Sequence, residues 1–223
     1  MKAWFALLLP SVAFAGQVFD GYDAYYTTLP AVLFKSSDQV VLRPYSDGSD
    51  GKVKLHWAGK VSGKPRQLTL EQGVARLDGR SIRLSTARVF PGEVVDVGDL
   101  GMGTEAFFGK DYLCLQNTPA TASGTAVRHK AIYLIETRRG GEVLKLPSLF
   151  ASCLGLRQPG KWLEFDKVAY RYAAAQDAPI GVSFTRVRLQ NGAFIQDAPP
   201  VMASFVEPDN VYRFSLDHAP QQR

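Results

Sequence analysis

The chain has 223 residues, 46% hydrophobic and 21% charged, a balance that excludes an intrinsically disordered chain, a collagen and a helical membrane bundle. With 26 Lys plus Arg against 21 Asp plus Glu, the net charge of +5 is too small to point to nucleic acid. Three histidines and two cysteines leave few groups for catalysis or metal binding.

The chain opens with Lys2, an apolar run over residues 3–9 and the small-residue pattern Ala13-Phe14-Ala15, which reads as an export signal cut after residue 15. The run is broken by Pro10 and falls short of the roughly 20 apolar residues needed to span a bilayer. Gly16 rather than cysteine follows the cut, so no lipid anchor is expected. The expectation is a mature β domain of residues 16–223, periplasmic or secreted, without stable membrane insertion. Export also favours pairing of Cys114 with Cys153, the one intramolecular disulfide available. Closing a loop of about 40 residues stabilises a fold by about 4 kcal/mol in the chain-entropy account. Two separate buried thiols are the alternative, since both cysteines sit in apolar segments.

After the cut, Phe19, Tyr22, Tyr25 and Tyr26 are interleaved with Asp20 and Asp23. Such a mixture suits either an interface anchor or a terminus packed on a sheet. Asp47-Gly48-Ser49-Asp50-Gly51 is an oxygen-rich turn that lacks the calcium-loop pattern. Val53, Leu55 and Trp57 then alternate with Lys52, Lys54 and His56, as in a strand with one wet face. Leu68 and Leu70, and later Ile82 and Leu84, repeat the alternation, and Asp78-Gly79 supplies a tight hairpin turn between them. Lys60, Lys64 and Arg66 cluster around a glycine-containing turn.

The glycine-rich stretch 98–103 either joins two lobes, 16–100 and 104–223, or forms a loop within one domain; its glycines do not match a phosphate or dinucleotide loop. Residues 104–108 suit a brief helix. Residues 131–135 form a continuous apolar run, the signature of a central strand covered on both faces. Arg139-Gly140-Gly141 turns that strand towards residues 142–146. Ser148 is placed to cap a short helical turn ending at Gly155. Val168, Tyr170 and Tyr172 share one strand face. In residues 182–189 the apolar parity switches, which predicts a bulge near Thr185 or Arg186, or else a register slip. Asn191-Gly192 closes another hairpin, Tyr212, Phe214 and Leu216 alternate as a last strand, and residues 219–223 form a polar end.

Many short strands and few helices define a mainly β fold, an antiparallel sandwich or barrel-like architecture with one or two short helical turns. For chemistry, His56, His129 and His218 have no metal-ligand spacing, and no metal or cofactor is expected. Ser123 and His129 share a hydroxyl-rich loop and are weak catalytic candidates, because no G-x-S-x-G elbow presents the serine. Arg128, Lys130, Arg138 and Arg139 bracket the apolar strand as a basic group. The leading expectation is an exported β scaffold that binds another macromolecule, an inhibitor or immunity protein among the candidates, with a protein partner in the periplasm. Tyr22, Tyr25, Tyr26, Arg128, Arg138 and Arg139 are its candidate contacts. The alternatives are an envelope hydrolase whose site assembles from distant loops, and an envelope assembly component that pairs through strand edges.

Overall fold

The computed structural model describes residues 16–46, 54–93, 100–118, 124–138 and 140–217. The signal segment, the turn 47–51, residues 98 and 99 of the glycine-rich stretch, Ser123, Arg139, His218 and the polar end lie outside the described residues. In chain order the elements are β1 (Val18–Asp20), α1 (Tyr22–Tyr26), β2 (Gln39–Val41), β3 (Arg43–Tyr45), β4 (Lys54–Val61), β5 (Lys64–Glu71), β6 (Val74–Leu77), β7 (Arg80–Arg83), β8 (Arg88–Val89), β9 (Glu105–Phe108) and β10 (Tyr112–Asn117). They continue with β11 (Ala131–Glu136), β12 (Val143–Lys145), β13 (Leu163–Tyr172), β14 (Pro179–Gln190), β15 (Ala193–Ile195), β16 (Val201–Phe205) and β17 (Arg213–Leu216). The mainly β expectation holds.

The strands form three open sheets. The middle sheet runs β2-β9-β10-β11-β12-β8, and only its β12-β8 pair is parallel. One outer sheet is the meander β3-β4-β5-β6-β7, and the other runs β1-β17-β16-β14-β13 with β15 added to β14. Alternate residues of the middle sheet feed two separate cores. Phe107, Cys114, Ile132, Leu134 and Leu144 face the sheet that carries both chain ends. Phe108, Leu113, Leu115, Tyr133 and Ile135 face the meander. This explains why residues 131–135 show no alternation: both parities are buried, as expected of a central strand.

Turn chemistry sets the meander. Asp78-Gly79 and Asn191-Gly192 close two-residue hairpins with positive φ at both positions (49° and 83°, 50° and 76°), the geometry whose twist matches that of the strands. Ser62-Gly63 and Gln72-Gly73 do the same between β4, β5 and β6. β11 and β12 pair antiparallel as expected, although Arg139 of their connection is not described.

Three local expectations are corrected. Residues 104–108 do not form a helix: Glu105–Phe108 is a strand, because pairing with β10 on one side and β2 on the other outweighs the local preference. Ser148 does not cap the turn; the Ser152 hydroxyl accepts from the Leu154 N–H at the start of the 3-10 turn Cys153–Gly155, at 3.2 Å. No bulge or slip occurs at Thr185 or Arg186, since β13 and β14 stay in register from Leu163↔Leu189 to Arg171↔Gly181. The apolar parity switches in both strands together, Phe165 pairing with Val187 and Val168 with Phe184, so the hairpin changes its packed face without breaking its ladder.

The Cys114–Cys153 disulfide forms, with Cα atoms 5.9 Å apart, and ties the 3-10 turn to the middle sheet. Gln116 reinforces the join: its side-chain carbonyl accepts from the Cys153 N–H at 2.9 Å, while its amide donates to Glu105 at 2.5 Å. Among the described residues no helix is long and apolar enough to cross a membrane.

Candidate functional site: an arginine and aromatic cleft

Tyr22, Tyr25 and Tyr26 recur at i, i+3 and i+4, so a single helical turn puts them on one face. α1 turns that face into the core between the middle sheet and the sheet of the chain ends, leaving Tyr26 1% exposed. The packing alternative is therefore the observed one. Tyr22 donates its hydroxyl to the Val211 carbonyl at 3.0 Å, and Tyr26 to that of Phe150 at 3.1 Å. These bonds satisfy the phenols inside an apolar site. Burial pushes all three phenol pKa values up, Tyr25 to about 12, so none ionises at neutral pH.

The outer edge of this cluster opens into a cleft of about 280 Å³. Asp20, Tyr22 and Asp23 enter it from the N-terminal segment, Arg128 and Lys130 from the entry to β11, and Phe150 and Tyr212 from two further loops. The Tyr22 and Phe150 rings stack with centroids 4.0 Å apart and planes 9° from parallel, and Tyr212 meets both edge-on. Phe150 has φ 50°, a conformation a bulky side chain adopts only when its surroundings impose it. The imposing contacts are local: the Phe150 N–H donates to the Arg128 carbonyl at 2.7 Å, and its own carbonyl takes the Tyr26 hydroxyl.

Arg128 is the main charge of the cleft. Its Nη1 donates to the Tyr170 hydroxyl at 2.7 Å, and its guanidinium lies 5.8 Å from the Tyr170 ring centroid. Among the described residues, no carboxylate lies within 4 Å of Arg128 or Lys130. A half-buried guanidinium is thus oriented by a phenol with no carboxylate beside it. Asp20 bridges to Arg213 at 3.2 Å, so part of the acidic side of the cleft is already paired.

The remaining candidates lie elsewhere. Arg138 is 77% exposed and bridges to Glu136 at 2.5 Å, beside a second cavity of about 220 Å³ far along the chain from α1. Ser123 and Arg139 are not described. His129 does meet a serine, but that serine is Ser148: its hydroxyl lies 2.8 Å from His129 Nδ1 and donates to Glu93 at 2.8 Å. Ser148 is 1% exposed and its proton is directed to the glutamate, so the order is His-Ser-Glu with the hydroxyl shut inside. A working nucleophile needs an exposed hydroxyl whose proton faces the imidazole. Among the described residues no group of three His, Cys, Asp or Glu side chains is arranged to hold a metal.

Reading the sequence missed Phe150 and Tyr212 as members of the cleft and Tyr170 as the residue that orients Arg128. The i, i+3, i+4 spacing of the tyrosines was a usable signal for the helix. Nothing in the sequence signals that residues 20–23 and 128–130 meet, because tertiary packing alone joins them.

Fold and site together define a three-layered, mainly antiparallel β protein with a small cleft of mixed charge at the edge of an aromatic core. Comparison with protein-family models, with curated proteins and with solved structures finds no match.

Proposed function

We propose that this is an exported β scaffold that acts in the periplasm by binding another macromolecule, through the cleft at Arg128. The observation that carries the reading is the guanidinium itself, oriented by Tyr170 and lacking a described carboxylate partner at the mouth of an aromatic cleft. A side chain fixed before encounter loses little conformational entropy on binding, and its charge is offered to a complementary group. The strands behind it are rigidly tied by the disulfide and by continuous pairing, which supports recognition by display rather than by folding around the partner. The expected export signal of residues 1–15 and the disulfide both support an oxidising compartment. Inhibition of an enzyme or toxin is the form of binding to assay first, because a rigid display that covers a partner's cleft needs no chemistry of its own.

The experiment is affinity purification of tagged mature protein from its native periplasm, with mass spectrometry of what survives a salt wash. A stoichiometric polypeptide supports the reading and supplies the activity to assay for inhibition. Recovery of no partner across several growth conditions overturns it.

A further inference from the structure

We infer that the Arg128 cleft takes the C-terminal residue of a polypeptide, gripping its free carboxylate. The inference rests on the macromolecule-binding reading and names the chemical end that the partner presents.

Three features of the cleft select this ligand. Arg128 and Lys130 stand together on one strand entry, and one edge of the guanidinium is fixed by Tyr170. A guanidinium held in this way matches a planar carboxylate. The 42% exposed Tyr212 then offers apolar surface for one side chain, backed by the stacked Tyr22 and Phe150 rings, which are 5% and 4% exposed and form only the floor of the cleft. Finally, Asp20 and Asp23 enter from the opposite segment. They repel a second negative charge, which disfavours a phosphate polymer or a glycan carrying many acids, and Asp23, unlike the Arg213-bridged Asp20, is placed to accept a hydrogen bond from a backbone N–H. One carboxylate, one apolar side chain and N–H donors behind it together make the last residue of a chain. A cavity of about 280 Å³ is of the size for one such residue rather than a long segment.

The test measures binding of a short peptide ending in phenylalanine, as the free acid and as the C-terminal amide, by calorimetry on the mature protein. The acid is expected to bind, and the amide to bind weaker by on the order of tenfold or more, the worth of one charge-assisted hydrogen-bonded pair. Arg128→Gln is expected to abolish the difference between acid and amide, whereas Lys64→Gln, the same charge change on the meander, leaves it intact. Tyr170→Phe, which removes only the bond that orients the guanidinium, is expected to narrow the difference, and Arg128→Lys to retain part of it. Thermal melts confirm that each variant is folded. Equal binding of acid and amide, binding of neither, or unchanged binding by Arg128→Gln each overturns the inference; so does free phenylalanine binding as tightly as the peptide. Capture of one periplasmic partner by the wild type and by Arg128→Gln alike removes this inference and moves the binding surface away from Arg128 while leaving macromolecule binding standing, whereas capture of no partner removes macromolecule binding itself.

Discussion

The two cores on either side of the middle sheet are built by opposite means. The meander core is aliphatic: Leu42, Leu55, Leu68, Leu70, Leu77, Ile82 and Leu84 supply most of its outer wall. From β4 onward its strands follow one another through two-residue turns, so nearly every pairing is local. The core beneath the chain ends is aromatic, with Phe19, the three tyrosines of α1, Phe150, Phe184 and Phe214 in mutual ring contact. Its strands β13 to β17 also pair with near neighbours, but β1 lies against β17 and the disulfide ties in the turn after Ser152, so this core joins distant parts of the chain. It also holds the disulfide and the ion pair of Arg157 with Asp166, 2.7 Å apart and 3% and 4% exposed. Burial raises the Asp166 pKa despite Arg157, because desolvation outweighs the attraction of its partner. One core gains stability through uniform packing and short loops, while the other accepts polar inclusions and cross-links. The cleft belongs to the second kind, since distant segments are what bring unlike groups to one mouth.

The comparison is most sharply tested at the cross-link. Replacing Cys114 and Cys153 with alanine is expected to cost about 4 kcal/mol, read from the denaturation midpoint. Hydrogen exchange should then speed first around α1, β1 and the turn after Ser152, with the meander lagging. Uniform acceleration in both sheets would make the two cores one cooperative unit. Leu68→Ala, at a fully buried meander position, follows at about 3 kcal/mol from lost packing and the residual cavity. At concentrations where the protein stays folded it should leave acid-peptide binding unchanged, and a weakened affinity would show that the meander core supports the cleft. Gly79→Ala is smaller, about 1 kcal/mol, because the turn holds φ at 83° there while a Cβ meets no other atom. A loss much above that would mean that the hairpin resists any relaxation of its turn.

The same division governs what the sequence made legible. Period-two alternation and Asp78-Gly79 disclosed the meander because its information is local, and Ser62-Gly63 was legible as a turn though not as a two-residue hairpin. Gln72-Gly73 was harder, since glutamine rarely takes positive φ and the turn holds it there at 46°. The unbroken apolar run of β11 disclosed the middle layer, and the cysteines disclosed their bond once export was inferred. In β13 and β14 the parity change was visible but its cause was not, because a strand read alone cannot show that its partner changes face in step. The cleft was half visible: Tyr22 and Arg128 were singled out, but as separate features, and the rings that complete the site come from loops with no periodicity.

The smallest expected effect concerns pH at the His-Ser-Glu contact beside the cleft. Burial lowers the His129 pKa, and Arg128 adds to the lowering while Glu93 opposes it. The folded state therefore binds a proton less readily than the unfolded chain, whose histidine titrates near about 6.5. By linkage, the stability that comes from keeping the ring neutral is fully present above that unfolded value and is lost as pH falls through the lower folded value. The ring is only half-buried, so screening by solvent holds the effect under about 1 kcal/mol. His129→Asn retains a donor towards Ser148 and removes the titration. Comparing melting temperatures between pH 7.5 and 5.5, the wild type should lose more than the variant over that interval, before most carboxylates begin to protonate. If the two lose the same amount, His129 does not bind protons differently on folding, and the Ser148–Glu93 contact leaves its ring as free to charge as in the unfolded chain.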